Sequence, residues 1–210
     1  MLHVNNILTR MVTDRKRSNP LKLLAETGRR DQPRTRIRNK GDDSIDTKNG
    51  NQIILFFNAG LKEKLMKDRD MIMSKKYLVK IPSKVTCEMI FSEFLYHEKH
   101  DNSLYFSNGV SQDMISGIRT YFNHRFIVEL LYKPELPQIK NLAGKTVFTE
   151  IYGCEHLLRL MTCIGKLISP NEFDDHGFAI LRTHFQRFLD FVDVNRDKYM
   201  PGDNYFQVVQ

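Results

Sequence analysis

Histidines, acids and cysteines are the residues through which this chain could do chemistry. Their spacing decides how much. His97 and His100 stand in "HEKH". A zinc-protease helix uses H-E-x-x-H, which sets two imidazoles one turn apart and a glutamate beside the activated water. Here the second histidine comes one residue early, with no third ligand nearby, so solvated loop histidines and no metal are expected. "YGCEH" places Cys154, Glu155 and His156 in succession. Adjacent side chains on a helix do not face each other, so these cannot serve as a mutual nucleophile and base. Cys154 is expected to be a small core residue. His156 is expected to bond a neighbouring backbone group or carboxylate. The chain has no P-loop, no G-x-G-x-x-G and no G-x-S-x-G. Neither an enzyme nor a cofactor is expected.

The charge is unevenly spread. The net +7 over 210 residues hides a basic arm: residues 1–40 hold eleven Lys/Arg and three acids, so the remainder sums to −1. "DRKR" and "RTRIRNK" fit loose phosphate contact or nuclear import, with Arg15, Lys16, Arg17, Arg34, Arg36 and Arg38 as the candidate cations. The arm has no Phe, Tyr or Trp, so it can neutralise phosphates without stacking on bases. The three cysteines are widely spaced and odd in number, which points to a reducing compartment rather than a disulfide framework. No run approaches the roughly 18 apolar residues of a membrane span, and "MLHVNNILTRMV" is unlike a secretory signal.

The elements that must position these residues begin near residue 51. Residues 1–50 lack periodicity, carry Pro20, Pro33 and "NKGDDSIDTKNGN", and are expected to be disordered. "IILFF" suits a short buried strand able to pair with "KYLVKIP". "LKEKLMKDRDMIM" spaces its apolar residues like a helix face. Thr86 is a candidate cap for a helix with Cys87, Ile90, Phe91, Phe94 and Leu95 on one side. "HEKHDNSLYFSNG" is expected as a loop. Ser111 is expected to open the next helix, with a stripe at Ile115, Ile118, Phe122 and Phe126, stopped by "KPELP". "EIYGCEHLLRLMTCIGKLI" puts Cys154, Leu157, Leu158, Met161, Ile164 and Ile168 on one face. The last helix repeats the pattern at Phe178, Leu181, Phe185, Phe188, Leu189 and Val192. The fold class is therefore all-α: packed helical hairpins with at most a small β-hairpin, over residues 51–210.

"IPSKVTCEMI", "GIRTYFNHRFIVELLYKPE" and "IYGCEHLLRL" resemble, in order, the signature stretches of the MRG domain, the family of mortality-factor-related and male-specific-lethal chromatin proteins. The resemblance covers about residues 51–205. It implies a non-catalytic helical domain, found in scaffold subunits of nuclear histone acetyltransferase and deacetylase complexes. Such domains bind short apolar partner segments in shallow pockets. Many members add a chromo-barrel that reads methylated histone tails. The arm lacks the aromatic cage such reading needs, so it is not expected here.

By the same resemblance the partner-binding patch would gather Phe57 from the first strand, Leu65, Met66 and Arg69, Tyr132 after "ELL", and Thr162 with Cys163. Arg69 stands where the family usually has a tryptophan. It is expected to lay its planar head over Tyr132 and to favour acidic partners. Thr162 then Cys163 replace an apolar residue and an arginine. The competing reading is a nucleic-acid-binding protein that acts through its arm.

Overall fold

The computed structural model describes residues 53–100, 109–140, 142, 147–168 and 175–208. The basic arm and its candidate phosphate contacts lie outside the described residues. The body is all-α with one small sheet. Its elements are α1 (Ala59–Met73), β1 (Tyr77–Val79), α2 (Cys87–His100), α3 (Val110–Arg125), α4 (Leu136–Ile139), α5 (Cys154–Leu167), α6 (Asp175–Val194), α7 (Arg196–Tyr199) and β2 (Tyr205–Gln207). A π-helical turn at Phe126–Leu130 and a 3-10 turn at Lys133–Glu135 lead from α3 to α4. No helix among the described residues is long and apolar enough to cross a membrane.

The apolar stripes close on one another as their helical period requires. Every stripe residue expected on α5 and α6 is buried, with Ile168 just past the end of α5. Aromatic rings fill the centre: Phe94 meets Phe188 edge-on at 5.0 Å, and Phe126 lies 4.1 Å from Tyr152. Such tilted contacts suit the ring quadrupole better than a face-to-face sandwich.

Several local expectations are corrected. "IILFF" forms no strand and pairs with none among the described residues. The Gln186 side chain satisfies its backbone instead, accepting from Phe56 N at 2.8 Å and donating to Phe56 O at 3.0 Å. β1 pairs with the chain's far end, antiparallel, with Tyr77 opposite Gln207 and Val79 opposite Tyr205. The sheet is thus no hairpin, and the chain's far end supplies its second strand. α2 runs on through His100 rather than ending before "HEKH". Thr86 does accept from Met89 N, at 3.4 Å. Ser111 caps nothing, because its hydroxyl turns inward to Glu98 Oε2 and His184 Nδ1, each at 2.9 Å. Gly109 precedes α3 in its place.

One buried ion cluster ties α1, α5 and the segment before α4 together. Arg159 donates to Asp68 Oδ2 and Oδ1 at 2.8 and 3.0 Å, to Glu135 Oε2 and Oε1 at 2.6 and 3.3 Å, and to Leu130 O at 2.9 Å. A guanidinium has five N–H donors, and every one is used. His156 Nε2 lies 2.9 Å from Glu135 Oε1, and Tyr205 donates to Asp68 Oδ1 at 2.9 Å. Burial alone would raise the Glu135 pKa. His156 and Arg159 outweigh it and hold the group at about 2, against an ordinary 4.5.

Removing Arg159 strands two buried carboxylates. Arg159→Met should lose about 3–5 kcal/mol by urea titration. Glu135, held below its unfolded value, stabilises the fold fully above pH 4.5, and the contribution is lost as pH falls toward 2. The fall in thermal midpoint across that window should be shallower in Glu135→Gln, read by circular dichroism at each pH. Gly165 faces the Ile53 backbone so closely that a Cβ there would strike the Ile53 carbonyl. Gly165→Ala should therefore displace residues 53–57 and lower stability by about 1–3 kcal/mol, measured the same way.

Candidate functional site

Leu65, Asp68 and Arg69 follow one another at helical steps along α1, as do Arg159, Thr162 and Cys163 along α5. The Asp68–Arg159 pairing locks these two faces in register. One turn away from it, Leu65 and Thr162 line the same groove. Ile53, Leu55, Phe57, Lys62 and Met161 help complete its walls, around a volume of about 390 Å³. Phe57 thus reaches the groove from a segment held by Gln186 and fitted over Gly165, not from a strand. Ile54 and Phe56 of that segment are 72% and 71% exposed.

Tyr132 stands at the other side of the ion cluster. It leaves the π-helical turn in an extended conformation. Its backbone N–H donates to Glu135 Oε2 at 2.8 Å, and its carbonyl accepts from Glu135 N at 2.9 Å. The ring packs against the small cluster of Ile72, Leu78 and Val79. Burial raises the phenol's pKa. The guanidinium lying on the ring is that of Arg159, 4.2 Å from its centroid. Arg69, expected in that place, is exposed on α1 and acts on the Tyr132 phenol through its charge.

The structure therefore brings Phe57, Leu65 and Thr162 to one groove. It sets Tyr132 beyond Arg159, with Met66 (73% exposed) and Arg69 on the outer surface of α1. Thr162 donates to Arg159 O at 2.7 Å. Cys163 is half-buried against the main core, its thiol 3.1 Å from Leu160 O. Ile53, Leu55, Met161 and Gly165 were missed as groove residues. Their signal was the small residue at 165, which lets another backbone approach the helix.

The candidate chemistry does not assemble. Cys154 is fully buried and its thiol pKa is raised by that burial. His156 is equally enclosed and engaged with Glu135. Ser111, His184 and Glu98 hold the residue types of a hydrolase triad, but all three are about 99% buried, and the acid bonds the serine directly. Arg187 pairs with that acid at 2.7 Å. His97 and His100 are exposed on α2, where His100 Nδ1 meets Tyr96 O at 2.8 Å. Among the described residues no group of three His, Cys, Asp or Glu is placed to hold a metal ion.

Comparison with known proteins agrees with this architecture. The MRG family model matches residues 33–207. A *Drosophila melanogaster* protein described as "NuA4 complex subunit EAF3 homolog" is 34% identical over 152 residues, covering 70% of this chain and 36% of that protein. Human "Mortality factor 4-like protein 2" is 25% identical over 181 residues, covering 83% of this chain and 63% of its own length. "Mortality factor 4-like protein 1" of *Pongo abelii* is 29% identical over 152 residues, or 69% and 46%. The chain thus spans between about a third and under two thirds of these relatives. A family match that runs from residue 33 to the second strand, through all the described helices, makes this chain a member of the MRG family.

Proposed function

We propose that this chain is a non-catalytic scaffold subunit of nuclear histone acetyltransferase or deacetylase complexes. It would regulate transcription by holding short hydrophobic segments of partner subunits. The observation that carries the reading is the apolar groove shared by Phe57, Leu65 and Thr162, held in register by Arg159, with Tyr132 on the far side of that ion cluster. Concave apolar surface on rigid elements suits anchors delivered by a peptide, with no covalent step. The burial of Cys154, His156 and Ser111 supports the non-catalytic reading. The *Drosophila* relative's description as a NuA4 complex subunit supplies the class of assembly.

With no tryptophan in the chain, the patch lacks the largest anchor of its kind. Exposed Met66 and Arg69 give it an adaptable, cationic rim, which favours partners with acidic flanks. The arm, with Arg15, Lys16, Arg17, Arg34, Arg36 and Arg38, would add non-specific, salt-dependent contact with DNA.

Affinity purification from nuclear extract, read by mass spectrometry, should recover subunits of such complexes. Leu65→Ala and Tyr132→Ala should each weaken capture by about tenfold, the loss for a contact of about 1.4 kcal/mol, with helicity unchanged. Unaltered capture by both folded variants would remove the patch from the account. Deleting residues 1–40 should weaken duplex DNA binding and flatten its salt dependence while capture persists.

A further inference from the structure

Around Tyr132 the charges are sorted by depth. Asp68 and Glu135 point inward, 2% and 0% exposed, and Arg159 occupies both. The lysines point outward. Residues 75–84, "KKYLVKIPSK", hold four lysines and no acid, and in "KPELPQIK" Lys133 and Lys140 flank the buried Glu135. Lys75 pairs with Asp70 at 2.9 Å. Lys76, Lys133 and Lys140 form no ion pair among the described residues. The Lys76 ammonium donates only to a neutral group there, Met73 O at 2.9 Å near the end of α1.

Beside Lys75 and Lys76 lies a slot of about 660 Å³, lined by them and by Leu78, Pro134, Pro137 and Val208 among others, and exposed Lys133 directly precedes Pro134. Its floor is apolar and its rim is cationic. Pro134 and Pro137 donate no backbone hydrogen bond, so that wall needs no water or partner strand to satisfy it. β2 belongs to a two-stranded sheet, so its outer edge is unpaired among the described residues, and Phe206 and Val208 on it are 40% and 39% exposed. The slot sits at the opposite end of α1 from the groove. Leu65 and Lys75 are about 15 Å apart along the helix axis at the usual rise per residue.

We infer that this slot is a second docking site, and that its occupant is an acidic protein segment carrying an apolar anchor. Carboxylates of the segment meet Lys76 on the slot's wall and Lys133 beside Pro134, while the anchor covers Leu78, Pro134 and Pro137. Charge complementarity names the occupant. Asp68 and Glu135 are consumed inside the fold and Asp70 pairs with Lys75, so among the described residues no acid pairs with Lys76 or Lys133. Duplex DNA fits less well. Phosphates need the cations but not the oily floor, and neither an aromatic face nor an arginine lines the slot. Lysine ammoniums act as point charges and accept carboxylates from many directions, which suits a flexible acidic segment.

The test uses the full chain and a labelled synthetic peptide with one isoleucine between glutamates, read by fluorescence anisotropy. The double variant Lys76→Glu with Lys133→Glu should bind it at least about tenfold more weakly. Replacing the peptide's isoleucine with serine should weaken binding to the wild-type chain by about tenfold. A DNA duplex should bind wild type and variant alike, because the arm holds it. The milder pair Lys76→Gln with Lys133→Gln should show a smaller loss in the same direction, which keeps the test decisive if the reversal disturbs folding. Equal peptide binding by all variants, or an equal loss for the duplex, overturns the inference. So does indifference to the isoleucine. If Asp42→Asn, Asp43→Asn and Asp46→Asn together tighten peptide binding, the chain's own acidic stretch fills the slot and a separate partner is ruled out.

Discussion

Arg159 is the constraint on which the rest depends. A guanidinium placed in a core loses its hydration, and the loss is recovered only if its donors all find acceptors in good geometry. Here they do, against carboxylates from α1 and from the turn before α4 and against the Leu130 carbonyl. An apolar contact tolerates sliding, but a forked donor between two carboxylates does not. Residues 68, 135 and 159 therefore meet in one arrangement, and the register of α1 on α5 follows. The cluster sets the position of Tyr132 as well as that of Leu65 and Thr162.

This explains which parts of the fold were legible in sequence. The stripes on α5 and α6 were, because a 3.6-residue period in Leu, Phe and Ile has one structural solution. Glu155, His156 and Arg159 were visible as polar residues on an overly apolar helix, but hydrophobic pattern could not show that they too are buried. Their partners lie far off in sequence. Asp68 looks like any surface acid in "MKDRD", and Glu135 sits in a proline-rich stop signal. The apolar stripe of α5 goes to the core, while the helix's polar side is claimed by the ion cluster and by Asn204, which donates to Glu155 Oε1 at 2.9 Å.

The candidate patch was legible only through resemblance, and only in part. Of the residues that likeness named, Phe57, Leu65 and Thr162 line one groove. The guanidinium that lies on the Tyr132 ring is that of Arg159, where Arg69 was expected. The expected strand pairing failed as well. Three-residue strands leave little pattern, and nothing in "KYLVKIP" or "NYFQVV" marks them as partners across more than a hundred residues. The loop expected from "HEKH" does not begin there, since no proline or glycine stands before His100 to stop α2.

The two surfaces at opposite ends of α1 share one short stretch of chain. Tyr132 rests on the ion cluster, and Pro134 and Pro137, a few residues on, form a wall of the lysine slot. Coupling between two sites requires an element with two arrangements that both ligands bias. Arg159, with all five donors matched, favours one arrangement of the cluster, which gives occupancy of the groove little leverage on the slot. The gain from using both is geometric. A partner whose apolar anchor and acidic run are separated by about the length of α1 would engage both at once, with the second contact favoured by effective concentration rather than by conformational change. A rigid core that fixes two chemically different surfaces at a set spacing selects among partners by that spacing, and its selectivity does not depend on the strength of either contact alone.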